Sequence, residues 1–368
     1  MKYLTELEEK LTDEQELRKA FALARKLNVI ELPVFSEKEP EKYLGMVDLR
    51  PHITFSYDVL RTKLKHVIVR YNWLIESEFT PKEAARIMVE LNYRAVPVVS
   101  DESEERLVGV CYDRNVLEYL SDQGFGRKIK IKTLGLSQPI TISPNDTIAK
   151  AITLMRRHHI GRLPVVEHGK LVGIVTRMSI FNLVVSLDKE RPEFGEYVDE
   201  KHSVYSYPVR EVMDYPVYTV SPESSVLSAI QLMLKYNIRG LVVAEEEKPV
   251  AVITSKNIIS LFVKQYIQEL EEKGVFHEVH ADDPDIRAFI ERCLKIKRFP
   301  EGCYVKIYCL KRASTKNIYD IRIRLRLPNG QLIVYADVAR GKAEAYRRIK
   351  KAIETVQYEA FEEKKPEY

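Results

Sequence analysis

Cysteine is scarce. The 368 residues hold four, Cys111, Cys293, Cys303 and Cys309, and none forms a CxxC pair, which predicts buried thiols over a metal or disulfide role. Long apolar runs are missing too. None approaches the roughly 18–20 residues that span a bilayer, so no membrane segment is expected. The opening Met1-Lys-Tyr-Leu-Thr-Glu-Leu-Glu-Glu-Lys10 is acidic and unlike a signal peptide, which makes a cytoplasmic location the expectation. The chain has no GxGxxG, no Walker loop, no HExxH and no nucleophile elbow. Asp48 and Asp58 have no evident acid/base partner, and the adjacent His158 and His159 would point about 100° apart on a helix, a poor arrangement for joint metal ligands. No catalytic site is found, an enzyme is not expected, and no cofactor is required.

What is present is a repeat. With 45% hydrophobic and 30% charged residues the chain reads as globular, long enough for two to four domains. Four anchors recur: Val29-Ile-Glu-Leu-Pro-Val-Phe35, Tyr93-Arg-Ala-Val-Pro-Val-Val99, Ile160-Gly-Arg-Leu-Pro-Val-Val166 and Ile238-Arg-Gly-Leu-Val-Val-Ala244. Pro33, Pro97 and Pro164 are 64 and 67 apart, and the equivalent Val242 lies 78 further on. The extra length fits a charged, proline-containing insertion near residues 188–205. Each anchor follows a helix-like apolar stripe and precedes a second short apolar run. The third copy reads most cleanly: a strand over Pro139–Ser143, a helix opened by Asn145 and Asp146, two strands around His168-Gly169-Lys170, then a second helix. The first copy has no obvious leading strand.

Ile140-Thr-Ile-Ser-Pro-Asn-Asp-Thr-Ile148, Gly161-Arg-Leu-Pro-Val-Val166 and Leu171-Val-Gly-Ile-Val-Thr176 resemble the cystathionine-β-synthase (CBS) domain. The resemblance implies copies paired into two modules, modules paired again as discs within or between chains, and an adenine nucleotide or related ligand in the clefts. The family pattern Gly-h-h-Thr/Ser-x-x-Asp supplies a hydroxyl and an Asp to the ribose. Here copy three gives Thr176 and Ser179, copy four Thr254 and Asn257, copy two Tyr112 and Asn115, and copy one Asp48 and Pro51, so no copy keeps the Asp. The resemblance further implies phosphate contacts at the anchor arginines, Arg94, Arg162 and Arg239; solvent-facing or ion-paired arginines are the other reading of the same residues. The cleft between copies three and four, with Thr176 and Thr254, is the expected site.

After Gly274 the repeat stops. Residues 275–368 carry 20 Lys+Arg and 14 Asp+Glu, a net of +6, leaving 38 and 40 elsewhere, a net of −2. Such asymmetry points to an anionic partner. The pattern predicts the order βαβββα, with a hairpin turn at Pro328-Asn-Gly330. In the strand after Ile318, period two puts Arg322, Arg324 and Arg326 on one face. The last helix carries Arg347, Arg348, Lys350 and Lys351. These are either solvated faces or a surface for backbone phosphates. The order, the turn and Ala339-Arg-Gly-Lys-Ala-Glu-Ala-Tyr346 resemble the ribosome hibernation-promoting and ribosome-associated inhibitor family. That resemblance implies contact with small-subunit rRNA through Arg340, Lys342 and the basic helix, and occlusion or pairing of ribosomes.

The expected fold is therefore α/β and α+β: two tandem CBS-pair modules over 1–130 and 131–273, then a small βαβββα sheet-plus-two-helix domain over 274–368. The expected function is a homodimeric factor that binds the small ribosomal subunit and responds to a nucleotide. The alternative is an adenine-nucleotide-sensing regulator of a partner protein without RNA binding. A DNA-binding regulator is disfavoured because no helix-turn-helix is evident.

Overall fold

The computed structural model describes residues 2–52, 57–69, 74–75, 79–100, 106–189, 204–272, 277–281, 283–296, 299, 303–311, 318–326 and 332–362. The chain divides into two compact units, Met1–Val263 and Lys264–Tyr368.

The first unit holds the repeat. Copy one comprises β1 (Leu11–Thr12), α1 (Leu17–Leu27), β2 (Glu31–Phe35), β3 (Tyr43–Asp48) and the short α2 (Tyr57–Leu60). Copy two comprises β4 (Ile68–Val69), β5 (Leu74–Ile75), α3 (Pro81–Glu90), β6 (Ala95–Val99), β7 (Leu107–Tyr112) and α4 (Asp113–Asp122). Copy three has α5 (Ile148–Arg157), β8 (Arg162–Glu167), β9 (Lys170–Thr176) and α6 (Arg177–Lys189). Copy four has β10 (Thr219–Val220), α7 (Val226–Lys235), β11 (Gly240–Glu245), β12 (Lys248–Thr254) and α8 (Ser255–Glu272).

Two backbone details repeat four times. The residue ahead of each anchor is left-handed: Asn28 (φ 53), Asn92 (φ 56), His159 (φ 52) and Asn237 (φ 51). This conformation ends the preceding helix and returns the chain into a strand, and asparagine tolerates it better than most residues. Each anchor hairpin is antiparallel and slips register at one place, after Val34, Val98, Val165 and Val243.

Two expectations need correcting. Copy one does have a leading strand: β1 pairs parallel with β2, Leu11 opposite Val34. At two residues it is too short to show alternation. The strand expected over Pro139–Ser143 reduces to one bridge, Ile142 opposite Val165. Prolines at 139 and 144 flank Ile142 and carry no N–H to extend a ladder. The insertion near 188–205 lies largely outside the described residues, as does the Pro328–Gly330 turn.

Within this unit β2 touches β6, and β9 touches β12, so sheets of copies one and two meet and sheets of three and four meet. Helices join the halves: α4 packs on α7, and Phe21 of α1 stacks on Phe181 of α6, ring centroids 3.8 Å apart. Copy one thus faces copy three, and copy two faces copy four.

The second unit contains β13 (His277–Ala281), α9 (Pro284–Ile296), β14 (Tyr304–Lys311), β15 (Ile318–Arg326), β16 (Leu332–Arg340) and α10 (Lys342–Glu362). The sheet order is β13-β14-β15-β16, parallel for the first pair and antiparallel thereafter. Val305, Ile307, Cys309, Ile321, Ile323 and Leu325 pack against Ile286 and Ile290 of α9 and Ile349, Ile353 and Val356 of α10.

No helix among the described residues is long and apolar enough to cross a membrane. Cys111, Cys303 and Cys309 are buried free thiols and Cys293 is a half-buried one.

Candidate functional site

Three anchor arginines converge at the centre of the first unit. Asp113, first residue of α4 and 1% exposed, is their shared carboxylate. Arg94 Nη1 lies 3.7 Å from its Oδ2, and Arg239 Nη2 lies 3.5 Å from its Oδ1. Ser255, the first residue of α8, donates its hydroxyl to Oδ2 at 2.8 Å, and Arg94 Nη1 donates to Ser255 Oγ at 3.3 Å. Arg162 completes the group. Burial, then the neighbouring guanidiniums of Arg94 and Arg239, pull it down to about 10. Burial, opposed by Asp113, also lowers Arg94. Gly240 makes room for Arg162: a Cβ there would stand 1.7 Å from Arg162 Nη1.

Copy one contributes an opposite charge. Its Glu31 occupies the anchor position that Arg162 holds in copy three. Glu31 is fully buried, accepts the Arg94 backbone N–H at 2.9 Å and pairs with Arg50 Nη2 at 2.6 Å. Burial raises its carboxyl to about 7, against the pull of Arg50. Arg50 also binds Asp48 and donates to Asn92 O at 3.0 Å. Lys256 reaches Asn92 Oδ1 at 2.8 Å, and burial lowers its ammonium, as do Arg94 and Arg50. Arg50, Arg94, Arg162, Arg239 and Lys256 thus outnumber Glu31, Asp48 and Asp113, leaving a positive excess suited to an anion.

A cavity of about 420 Å³ opens beside this centre. Its walls come from the end of α1 (Asn28, Val29), the start of α4 (Asp113, Asn115, Glu118) and the end of α7 with the following anchor, including Asn237 and Arg239. The volume suits a small organic molecule.

Of the expected ligand residues, Asn115 and Arg239 line the cavity, and Arg94 and Arg162 stand around the same carboxylate. Thr176, Ser179, Thr254 and Asn257 do not line it. Thr176 N–H donates to Ser179 Oγ at 2.8 Å, and Ser179 N–H returns to Thr176 Oγ1 at 3.0 Å. Thr254 and Asn257 form the same reciprocal pair, at 3.0 and 3.3 Å. This cavity lies among copies one, two and four, apart from the cleft between copies three and four. The hydroxyl-x-x-polar pattern serves here as a capping box, tying each strand to the helix that follows. Sequence reasoning did not single out Glu31, Arg50, Asp113 or Ser255 for the ligand. The one signal was Glu31 standing where copy three has arginine.

The tail residues divide. Arg322 is buried, which corrects its reading as an open phosphate contact; Arg324 is half-buried, and the Arg326 side chain lies outside the described set. Its cross-strand neighbour on β14 is Tyr308, itself 1% exposed. Lys342 is held by Asp283 and Asp285, at 3.0 and 2.6 Å, and Arg348 by Asp337 and Glu344. Arg340, Arg347, Lys350 and Lys351 are exposed. Among the described residues no cluster of three or more His, Cys, Asp or Glu could hold a metal ion, and His158 and His159 are exposed at the end of α5.

A family model of the CBS domain matches residues 65–122, 131–186 and 209–264. Residues before 65 lie outside those matches but repeat the left-handed cap and the register slip. CBS domain-containing protein YhcV of Bacillus subtilis (strain 168) is 31% identical over 123 residues, 33% of this chain and 78% of that protein. Uncharacterized protein MJ1404 of Methanocaldococcus jannaschii is 28% identical over 283 residues, 74% of this chain; the match spans only 64% of that protein's length. The crystal structure of protein MJ1225 from the same organism, presented as a candidate archaeal homologue of γ-AMPK, superposes with a TM-score of 0.55 at 19% identity, over 71% of this chain and 98% of that one. The likeness to MJ1225 is one of fold.

Proposed function

The chain belongs to the CBS-domain family, and on that premise we propose that it is a regulatory sensor whose body binds an adenine-nucleotide-type ligand. The observation that carries this reading is the convergence of Arg94, Arg162 and Arg239 on one carboxylate beside a cavity of about 420 Å³. Guanidiniums in a partly dehydrated setting are strong partners for phosphate. The apolar walls, Leu27, Val29, Leu117 and Ile238, suit a base or sugar. The γ-AMPK comparison drawn for MJ1225 agrees with a nucleotide sensor. No step in this reading is catalytic. A ligand controls output only if it binds two states of the protein unequally.

Calorimetric titration of the full chain with AMP, ADP and ATP tests it. Binding that weakens in Arg94→Gln supports the reading; no heat and no thermal shift with any of the three at millimolar concentration would sink it.

A second reading concerns the output. Net charge of +6 in residues 275–368, with Arg340, Arg347, Lys350 and Lys351 exposed, favours a tail that binds small-subunit rRNA, as a hibernation factor does. Because helices of the modules already pack within one chain, a homodimer in this reading uses another surface. Sucrose-gradient sedimentation with cell extract tests it. Co-migration with the small subunit at low salt and release at high salt is the expected result. Confinement to the top fractions at low salt leaves the sensor acting on a protein partner.

A further inference from the structure

Copy one sets two carboxylates on one guanidinium. Arg50 meets Glu31 Oε1 with Nη2 at 2.6 Å. It clasps Asp48 as well, with Nε at 2.9 and 3.0 Å and Nη2 at 2.9 Å. The two acids are not equal. Asp48 also accepts the Arg50 backbone N–H at 2.9 Å, and its side chain is 18% exposed, whereas that of Glu31 is 0% exposed. Two carboxylates that share a site hinder each other's ionisation, and the one removed from water is the one that takes the proton. Here that one is Glu31. Protonated, it still accepts the Arg94 N–H through its carbonyl oxygen, and it leaves Arg50 to Asp48.

Arg50 and Asp48 face Glu31 from the end of β3, Arg94 from the start of β6, and Tyr112 and Asp113 from the junction of β7 and α4. Burial holds the Tyr112 hydroxyl protonated. His52, beside Asp48, is lowered by burial and is neutral at pH 7 and above. Burial raises the Glu31 carboxyl to about 7, so near neutral pH it is divided between its two forms.

We infer that the centre is proton-linked: a phosphate arriving at Arg94, Arg162 and Arg239 drives a proton onto Glu31, so the ligand is held more tightly as pH falls. The inference rests on the nucleotide reading above and adds how the affinity is regulated. A new anion there repels the Glu31 carboxylate. Arg94 joins the two places, with its backbone N–H on Glu31 and its guanidinium beside Asp113. Tyr112 joins them too, lining the cavity while its ring oxygen feels the Glu31 charge. One negative charge about 10 Å away, at an effective dielectric constant near 20, raises a carboxyl by about one unit. Binding therefore takes up a proton. Affinity falls as pH rises through about 7, the ligand-free value, and levels off above about 8, the value with ligand bound.

Calorimetric titration of AMP into the full chain at pH 7.5, in two buffers of different ionisation enthalpy, counts the protons. The wild type should take up about half a proton per AMP, the amount for one group moved from about 7 to about 8. The phosphate of AMP is almost wholly ionised at that pH and supplies little of the change. Glu31→Gln, which keeps an acceptor for the Arg94 N–H, should take up less than about 0.1. From pH 6 to 8, AMP should weaken about fivefold more in the wild type than in the variant, a ratio in which the titration of AMP itself cancels. AMP binding to the wild type without proton uptake overturns the inference and leaves the nucleotide reading standing, and this result needs no variant to fold. Uptake undiminished in Glu31→Gln overturns it as well, because another group then carries the proton. Failure of the wild type to bind any of AMP, ADP or ATP removes the nucleotide reading itself, and the inference with it.

Discussion

Glu31 offers a sharp test of the charge arrangement, because its carboxyl is the one that burial moves into the physiological range. It is 0% exposed and is raised from 4.5 to about 7. Loss of water is the leading cause, the Arg50 guanidinium and the Arg94 N–H oppose it, and the Asp48 and Asp113 carboxylates add to it. In the unfolded chain the group titrates near 4.5. Between those values the folded protein binds a proton that the unfolded chain has released. Glu31's contribution to stability is therefore fully present below about 4.5 and is lost as pH rises through about 7. A gap of some 2.5 units at 1.36 kcal/mol each is about 3 kcal/mol. Glu31→Gln keeps an acceptor for the Arg94 N–H and removes the titration. Urea unfolding of both proteins, at half-unit steps from pH 4.5 to 8, gives the two stability curves. Subtracting one from the other cancels every other titrating group. The wild type should fall relative to the variant by about 3 kcal/mol across the window, with most of the change between pH 5 and 7. Parallel curves would refute the reasoning, and a difference that grows in the opposite direction would mean that Arg50, not burial, dominates the carboxyl.

Three further outcomes follow from packing and charge. Phe181→Ala removes one ring of the Phe21–Phe181 stack, both rings being at most 2% exposed, and should lower stability by about 3–5 kcal/mol in urea; a loss under about 1 kcal/mol would mean the halves of the first unit are held elsewhere. Gly240→Ala puts a methyl group 1.7 Å from the present Arg162 Nη1, so the guanidinium must swing away; AMP affinity measured by calorimetry should fall about tenfold, the loss of one charge-assisted contact, and unchanged affinity would take Arg162 out of the site. Alanine at Arg347, Lys350 and Lys351 together should reduce the salt-dependence slope of single-stranded RNA binding by about 2, whereas alanine at the ion-paired Lys342 should change it little; equal effects would show that exposure does not decide which cations meet the phosphates.

The sequence disclosed the repeat because its cause is local. In every copy the anchor after the amphipathic helix forms the first strand of a hairpin, and β2, β6, β8 and β11 lie where the anchors predicted. Short parallel strands stayed hidden, since two-residue segments such as Leu11–Thr12 are strands only by virtue of the neighbour they join. The same limit governed the site. Arg94 and Arg239 were visible as outliers inside an apolar anchor. Asp113 was not, because what distinguishes it is Ser255, 142 residues away in the chain. Likewise Thr176 and Ser179 carry the right residue types for a ligand, and only the structure shows the mutual hydrogen bonds by which they cap α6. In the tail, alternation placed Arg322 on the correct face of β15, but a sheet face is not necessarily a solvent face, and this arginine is 5% exposed.

The symmetry of the centre is incomplete. Copies two and four face each other, and equivalent residues make reciprocal bonds: Arg114 donates to Asn237 Oδ1 at 2.6 Å, and Lys256, its counterpart, donates to Asn92 Oδ1 at 2.8 Å. Arg94 and Arg239 are likewise equivalent, and both approach Asp113. The counterpart of Asp113 is Ser255. Two aspartates at that separation would repel and one would take a proton. Two serines would leave Arg94 and Arg239 without the carboxylate they share. One of each gives a carboxylate with a hydroxyl donor, a buried charge held between cations, and a second oxygen still without a hydrogen bond. Copies one and three break the symmetry the same way, with Glu31 opposite in sign to its equivalent Arg162, and the small Ala95 and Gly240 at that position in copies two and four. The repeat supplies the walls, and the positions where the copies disagree in charge give those walls a polarity.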